Sequence, residues 1–338
     1  MQQTGQGSSY GPFGVGQLLT RALDPRLTGR LTAERRALDE LARPLRRGSS
    51  IAVVGLQPAA GRTTVAGLLA HLLAVLGSTR VLAIDCDTRG PGNTRSPDDA
   101  RSSGDTHHPG LRERLGAGQA GSLHPVFAGL RLEPPGQLRL PPGPPGFRWM
   151  SQHLAGTEGP ALLAASAGER GRPFPAAHYA VTVGRFGRWY RAIVTDTPAG
   201  PSADVLPAVI RRANRLVAVG TADEKGLSGL RATVNWLGSI RPGDLRRLTT
   251  VLVAQPGASG LRPDQAQTAV GLPVHVLPPD VHLASQAPLD WTALGERTRR
   301  AVLALAAAAV ADLAEPLGKK PMGKKIASEG NRSSAGPL

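Results

Sequence analysis

The feature that most constrains this chain is a repeated alternation of short apolar runs with helix-like segments. Ile51-Ala52-Val53-Val54 is apolar throughout and stops at a Gly/Pro-containing loop. Thr63 to Leu76 follows as an apolar helical stretch, and Val81-Leu82-Ala83-Ile84 is a second apolar run that ends on Asp85. A strand buried on both faces loses the polar/apolar alternation of a half-exposed one. Two such strands joined by a helix make a βαβ unit, which implies parallel pairing. The rhythm returns with candidate strands at Ala161 to Ala165, Ala192 to Thr195, Leu216 to Val219, Thr250 to Ala254 and Val274 to Leu277. Helices are expected at Asp204 to Arg212, Gly226 to Leu237 and Trp291 to Leu313. The predicted class is α/β: a doubly wound, mostly parallel seven-stranded sheet with helices on both faces.

Several stretches stand outside this rhythm. Residues 1–28 are rich in Gly, Gln and Ser and are expected to be disordered. Residues 29–50 predict an amphipathic helical lead-in, with Leu31, Leu38, Leu41 and Leu45 at helix-like spacing, Thr32 as N-cap and an end near Pro44. It would dock either on the body or on a partner. The body is expected over 51–315, interrupted at 94–159 by a Pro/Gly-rich insertion such as Pro141-Pro142-Gly143-Pro144-Pro145-Gly146. Such segments cannot be helix or central strand, so the insertion reads as a structureless surface excursion. Residues 316–338 form a basic tail, expected to be disordered.

Composition excludes some function classes. Cys86 is the sole cysteine, so neither an intramolecular disulfide nor a thiol metal cluster is possible. The longest apolar run, Ala301 to Ala311, falls well short of the roughly 20 residues that span a bilayer. The N-terminus lacks the basic start and apolar core of a signal peptide. A cytoplasmic protein without a transmembrane segment is expected. The net charge of +15 is almost all arginine, the only lysines being Lys225 and the tail residues Lys319, Lys320, Lys324 and Lys325. That charge either attracts nucleic acid or acidic lipid, or is spread as solvated surface.

Three strand ends carry the candidate chemistry, because ligands of open α/β sheets bind beyond the carboxyl ends of the strands. The first bears Gly55-Leu56-Gln57-Pro58-Ala59-Ala60-Gly61-Arg62-Thr63-Thr64, the second Asp85-Cys86-Asp87, and the third Asp196-Thr197-Pro198-Ala199-Gly200. A Gly-Arg-Thr-Thr step at a helix start offers backbone amides to phosphate. A threonine hydroxyl and a carboxylate can hold Mg²⁺.

On these residues the chain resembles the MinD/ParA group of deviant Walker P-loop ATPases. IAVVGLQPAAGRTTVAGLLAHLLA is similar to the family's strand, phosphate loop and helix, and VLAIDCDTRGPGN to its acidic second strand. YRAIVTDTPAG looks like the switch strand, and LPPDVHLASQAPLDWTALGERTRRAVLALA like the proline-aspartate turn and closing helix. Within the family the arrangement is similar to actinobacterial MinD-like proteins linked to type VII (ESX) secretion. The resemblance implies a P-loop fold, ATP and Mg²⁺ as cofactors, and a homodimer that sandwiches nucleotide and recruits a partner from a secretion or partition system. It implies that Thr63 and Asp196 hold the metal and Asp87 orients the attacking water, with Asp85 in support. Gly61, Arg62, Thr63 and Thr64 would bind the phosphates, and Gln255 would read the base.

The departures from the family pattern are as informative. Where the family has lysine, two glycines and a second lysine, this chain has Gln57, Pro58, Ala59 and Arg62. Pro58 has no N–H to donate, Ala59 resists a positive φ, and Arg62 replaces a point charge with a planar fork. Lys225 lies too far along the chain to be expected as a substitute. Losing two hydrogen bonds to charged groups would cost roughly 3–6 kcal/mol, or about two to four decades of affinity. Three readings stay open: a degenerate switch or scaffold, a non-specific DNA-binding partition-type ATPase, and a secretion accessory docking through its Pro-rich segments. His107-His108 has no companion ligands, Cys86 reads as a buried thiol, and Trp189-Tyr190 as core.

Overall fold

In a computed structural model the described residues are 25–77, 80–87, 110–116, 121–122, 131–133, 137–139, 161–164, 175–257, 261–285 and 287–315. They form α1 (Pro25–Ala42), β1 (Ser49–Val54), α2 (Arg62–Val75), β2 (Val81–Asp85), α3 (Leu111–Arg114) and β3 (Gly121–Ser122). There follow β4 (Arg131–Glu133), β5 (Gln137–Arg139), β6 (Ala161–Ala164), α4 (Ala176–Phe186), β7 (Ala192–Asp196), α5 (Leu206–Arg212) and β8 (Arg215–Thr221). The chain continues through α6 (Glu224–Ile240), a 3₁₀ turn (Pro242–Arg247), β9 (Leu248–Val253) and α7 (Pro263–Val270). It closes with β10 (Val274–Leu277), α8 (Val281–Ala284) and α9 (Glu296–Val310).

All seven expected strands are present, in one sheet of order β10-β9-β8-β1-β7-β2-β6-β3. Every pair in it is parallel. The apolar runs are continuous because both faces are covered. Ile51 and Val53 face a core shared with α1, α2 and α9. Ala52 and Val54 face a second core built with α4, α5, α6 and α7. From β1 the chain crosses by α2 to β2, leaving room for β7 between them, whereas β8, β9 and β10 lie on the other side of β1. The strand order therefore reverses at β1, which opens a crevice at its carboxyl end.

The flanking stretches differ from expectation in detail. The stretch 94–159, expected to lack regular structure, supplies the short helix α3, an eighth sheet strand β3 and the antiparallel pair β4–β5. Apart from Gly110, Leu115 and Gly116, its remaining residues, His107-His108 among them, lie outside the described residues, as do 1–24 and 316–338. The lead-in helix starts at Pro25 rather than 29, so Thr32 sits in the helix interior instead of capping it. Pro at the first helical position costs nothing, because its missing N–H would be unpaired anyway.

Helix α1 docks on its own body. Ala37, Leu41 and Leu45 are buried in the core that contains α9, while Leu31 and Leu38 stay exposed. Arg300 of α9 pairs with Glu34 at 3.5 Å. Leu45 bridges Ala314, and the Arg46 amide donates to the Leu313 carbonyl at 2.9 Å. Among the described residues, no helix is long and apolar enough to cross a membrane.

Candidate phosphate-loop site

The loop between β1 and α2 ends at Gly61, whose φ of 87° puts it in the left-handed region at the helix N-cap. Its backbone favours glycine, and a Cβ there would also crowd a Val253 methyl at 3.2 Å. Ala59 also adopts a left-handed conformation, with φ 54°, the sole non-glycine to do so among the described residues. An L-residue in that region costs roughly 1–2 kcal/mol. The expected reluctance of alanine is overridden, and surrounding contacts must hold the turn in place.

Those contacts come from both sides. Gln57 Nε2 donates to the Lys225 carbonyl of α6 at 2.8 Å. Its carboxamide fills a notch at Gly229, where a Cβ would be 2.1 Å from Gln57 Cδ. The Leu56 amide donates to Thr233 Oγ1 at 3.2 Å, and that hydroxyl donates in turn to the Gly229 carbonyl at 2.8 Å. On the other side Arg62 turns inward and is only 7% exposed. Its Nε donates to the Thr197 carbonyl at 3.1 Å, and Nη1 donates to the carbonyls of Gly55, at 3.3 Å, and of Gln57. Nη2 lies 4.0 Å from Asp87.

Parallel register sets Asp85 beside Asp196 on neighbouring strands. Thr63 Oγ1 donates to Asp196 Oδ2 at 2.7 Å. Asp196 is 1% exposed, and its other oxygen, Oδ1, is buried with no hydrogen-bond partner. Burial is the main cause that pushes the Asp196 carboxyl up to about 7, with Thr63 and Arg62 opposing it. Asp85 is also held well above the usual carboxylate range, by burial first and by Asp196 second. Its two oxygens accept from the Asp87 amide at 3.0 Å and the Leu111 amide of α3 at 3.3 Å. Cys86 is buried, and burial followed by the adjoining aspartates pushes its thiol up, away from thiolate chemistry.

The fold thus brings Arg62, Thr63, Asp85, Asp87 and Asp196 together. Gly61 and Thr64 lie at the start of α2, Thr64 half-buried. Gln255 is exposed just beyond β9, at the same sheet edge but two strands from β1. Lys225, set aside on sequence distance, is brought against Gln57 through its backbone. Its partners Gly229 and Thr233, and the Thr197 carbonyl that takes Arg62, were not singled out because backbone acceptors and helix notches leave no residue-type signature. The Gly-Leu-Ser-Gly spacing of α6 was the one available hint.

This architecture is similar to three solved structures in particular. The cell division ATPase MinD of Pyrococcus furiosus matches at 18% identity over 77% of this chain and 98% of that one, with a TM-score of 0.55. The septum site-determining protein MinD of Pyrococcus horikoshii OT3, complexed with Mg-ADP, matches at 18% identity over 76% and 94%, with a TM-score of 0.54. A ParA family ATPase of Chlorobium tepidum TLS matches at 15% identity over 78% and 98%, with a TM-score of 0.51. No protein-family model matches the chain, and no curated protein matches it by sequence. At these identities the likeness establishes architecture: the chain has the α/β P-loop fold found in MinD and ParA proteins.

Proposed function

We propose that this chain is a MinD/ParA-like P-loop protein with a degenerate phosphate loop, acting as a dimeric switch or scaffold without useful ATP turnover. The observation that carries this reading is the inward-turned Arg62. Its guanidinium is bonded to the carbonyls of its own loop and of Thr197. To meet a phosphate it would have to leave at least three acceptors, each bond to a charged group being worth about 1.5–3 kcal/mol. Pro58 removes an amide donor from the loop.

The Mg-ADP bound to the Pyrococcus horikoshii MinD makes ATP and Mg²⁺ the cofactors to weigh. The metal half of such a site fits, because Thr63 Oγ1 and the unpartnered Asp196 Oδ1 are hard oxygen donors. The phosphate half does not fit, for the reasons just given. No hydrolytic role for Asp87 follows, although its position near Arg62 and Asp85 suits holding a water. The test is calorimetric titration of the purified protein with ATP and MgCl₂. No saturation below the millimolar range is expected, and micromolar binding would overturn the proposal.

A second reading, non-specific DNA binding, is favoured by one observation. Exposed arginines stand at the amino ends of five adjacent strands: Arg47, Arg80, Arg188, Arg211, Arg212 and Arg246. Such a basic pole predicts electrostatic binding whose log affinity falls linearly with log salt. Salt-independent binding, or none at low salt, would exclude it. A role beside a secretion or partition system rests on sequence resemblance, and co-purification of a partner would test it.

A further inference from the structure

We infer that Arg62 and Gln57 form an internal latch that keeps the loop, the end of β7 and helix α6 joined as one unit without any nucleotide. This rests on the reading of the loop as degenerate and names how that site is regulated: by its own side chains.

Two halves of the latch converge on one segment. In the first half, Arg62 begins α2 and folds back over Gly55. A Cβ at Gly55 would stand 3.3 Å from Arg62 Cδ and 2.9 Å from the Val219 carbonyl, so glycine there lets the arginine stem pass beside β8. One planar fork then ties the loop at Gly55 and Gln57 to the third strand end at Thr197. Thr197 is itself fastened to β1, its hydroxyl donating to the Val53 carbonyl at 2.8 Å. A lysine, with one nitrogen, could not present the separated Nε and Nη1 donors that reach both elements at once.

In the second half, Gln57 plugs the Gly229 notch and donates to the Lys225 carbonyl, while Leu56 is held by Thr233. These anchors lie along α6, from its first turn to its middle. The shared residue is Gln57, whose side chain grips α6 while its carbonyl accepts from Arg62. Strain at Ala59 lies between the two grips, in a turn that would otherwise relax. In place of a ligand that orders loop and switch strand together, this chain uses a guanidinium and a carboxamide. The loop is therefore held closed by its own side chains.

Amide hydrogen exchange on the full chain tests the latch. In Arg62→Met, exchange is expected to speed at least tenfold at both 55–61 and 197–200, with β9 unchanged. Acceleration confined to 55–61, or none, overturns the coupling. Should Arg62→Met fail to fold, Gln57→Ala serves instead. Faster exchange at both 55–57 and 225–229 supports the latch, and a change at only one of them, or at neither, overturns it. Adding ATP and MgCl₂ to the natural protein separates the two claims. Protection of 55–61 by nucleotide would sink the degenerate reading, whereas the latch stands or falls on the variants.

Discussion

Asp196→Asn should reverse its effect on stability across a narrow range of pH. The Asp196 carboxyl sits buried, with Oδ2 taking the Thr63 hydroxyl and Oδ1 unpartnered. Its native value is about 7, against 3.8 for an ordinary carboxyl. The native state thus holds this proton more tightly than the unfolded chain does. Stability from the neutral carboxyl is fully present below about pH 4, is lost as pH rises toward 7, and stays lost above. Three units at 1.36 kcal/mol each set an upper bound near 4 kcal/mol. Asparagine cannot ionise, so the variant escapes that loss. Its amide puts a neutral group that differs in donors and acceptors into a buried site fitted to a carboxyl, at a cost of about 1–3 kcal/mol that does not vary with pH. The variant should therefore be less stable than the natural protein near pH 4 and more stable near pH 8. Urea unfolding in EDTA, at pH steps from 4 to 8, measures both curves. A constant offset between them would refute the reasoning, because it would mean that Asp196 ionises as easily in the fold as outside it.

Two further substitutions probe separate parts of the account. Ala59→Gly relieves a left-handed alanine on an exposed turn and should raise stability by about 1 kcal/mol, read as a higher denaturation midpoint. A fall would show that the methyl group has a packing role. Arg114, 1% exposed, donates to the carbonyls of Leu283, Ser285 and Ala287. Arg114→Met keeps the apolar stem but strips those acceptors of their donor, and should cost about 2 kcal/mol or more in urea unfolding. A loss under about 1 kcal/mol would show that the 283–287 turn is already hydrated.

The sheet was legible because its strands are buried on both faces, which turns Ile51 to Val54 or Leu216 to Val219 into unbroken apolar runs. β3 was not, since the two residues Gly121–Ser122 carry no periodicity. Helix α4 was missed although Tyr179, Thr182, Val183 and Phe186 fall on one helical face. Pro173 and Pro175 just before it interrupt the apolar periodicity. The grouping of Thr63, Asp85, Asp87 and Asp196 was legible because all four sit at the carboxyl ends of neighbouring parallel strands or at the helix start beside them. The direction taken by Arg62 was not, because it is decided by backbone carbonyls distant in sequence. Lys225 shows the same limit: it lies 168 positions from Gln57 in the sequence, yet the two are in hydrogen-bond contact.

The central claim is that the phosphate loop fails for local reasons while the metal and water positions survive. Side-by-side titration with ATP and MgCl₂ tests it, comparing the natural chain with one carrying Gln57→Lys, Pro58→Gly, Ala59→Gly and Arg62→Lys together. Restoring two bonds to charged groups should raise affinity by about two decades or more. The natural chain should show no saturable binding below the millimolar range. Equal affinity in the two proteins would contradict the account, whether because both bind tightly or because the repaired loop gains nothing.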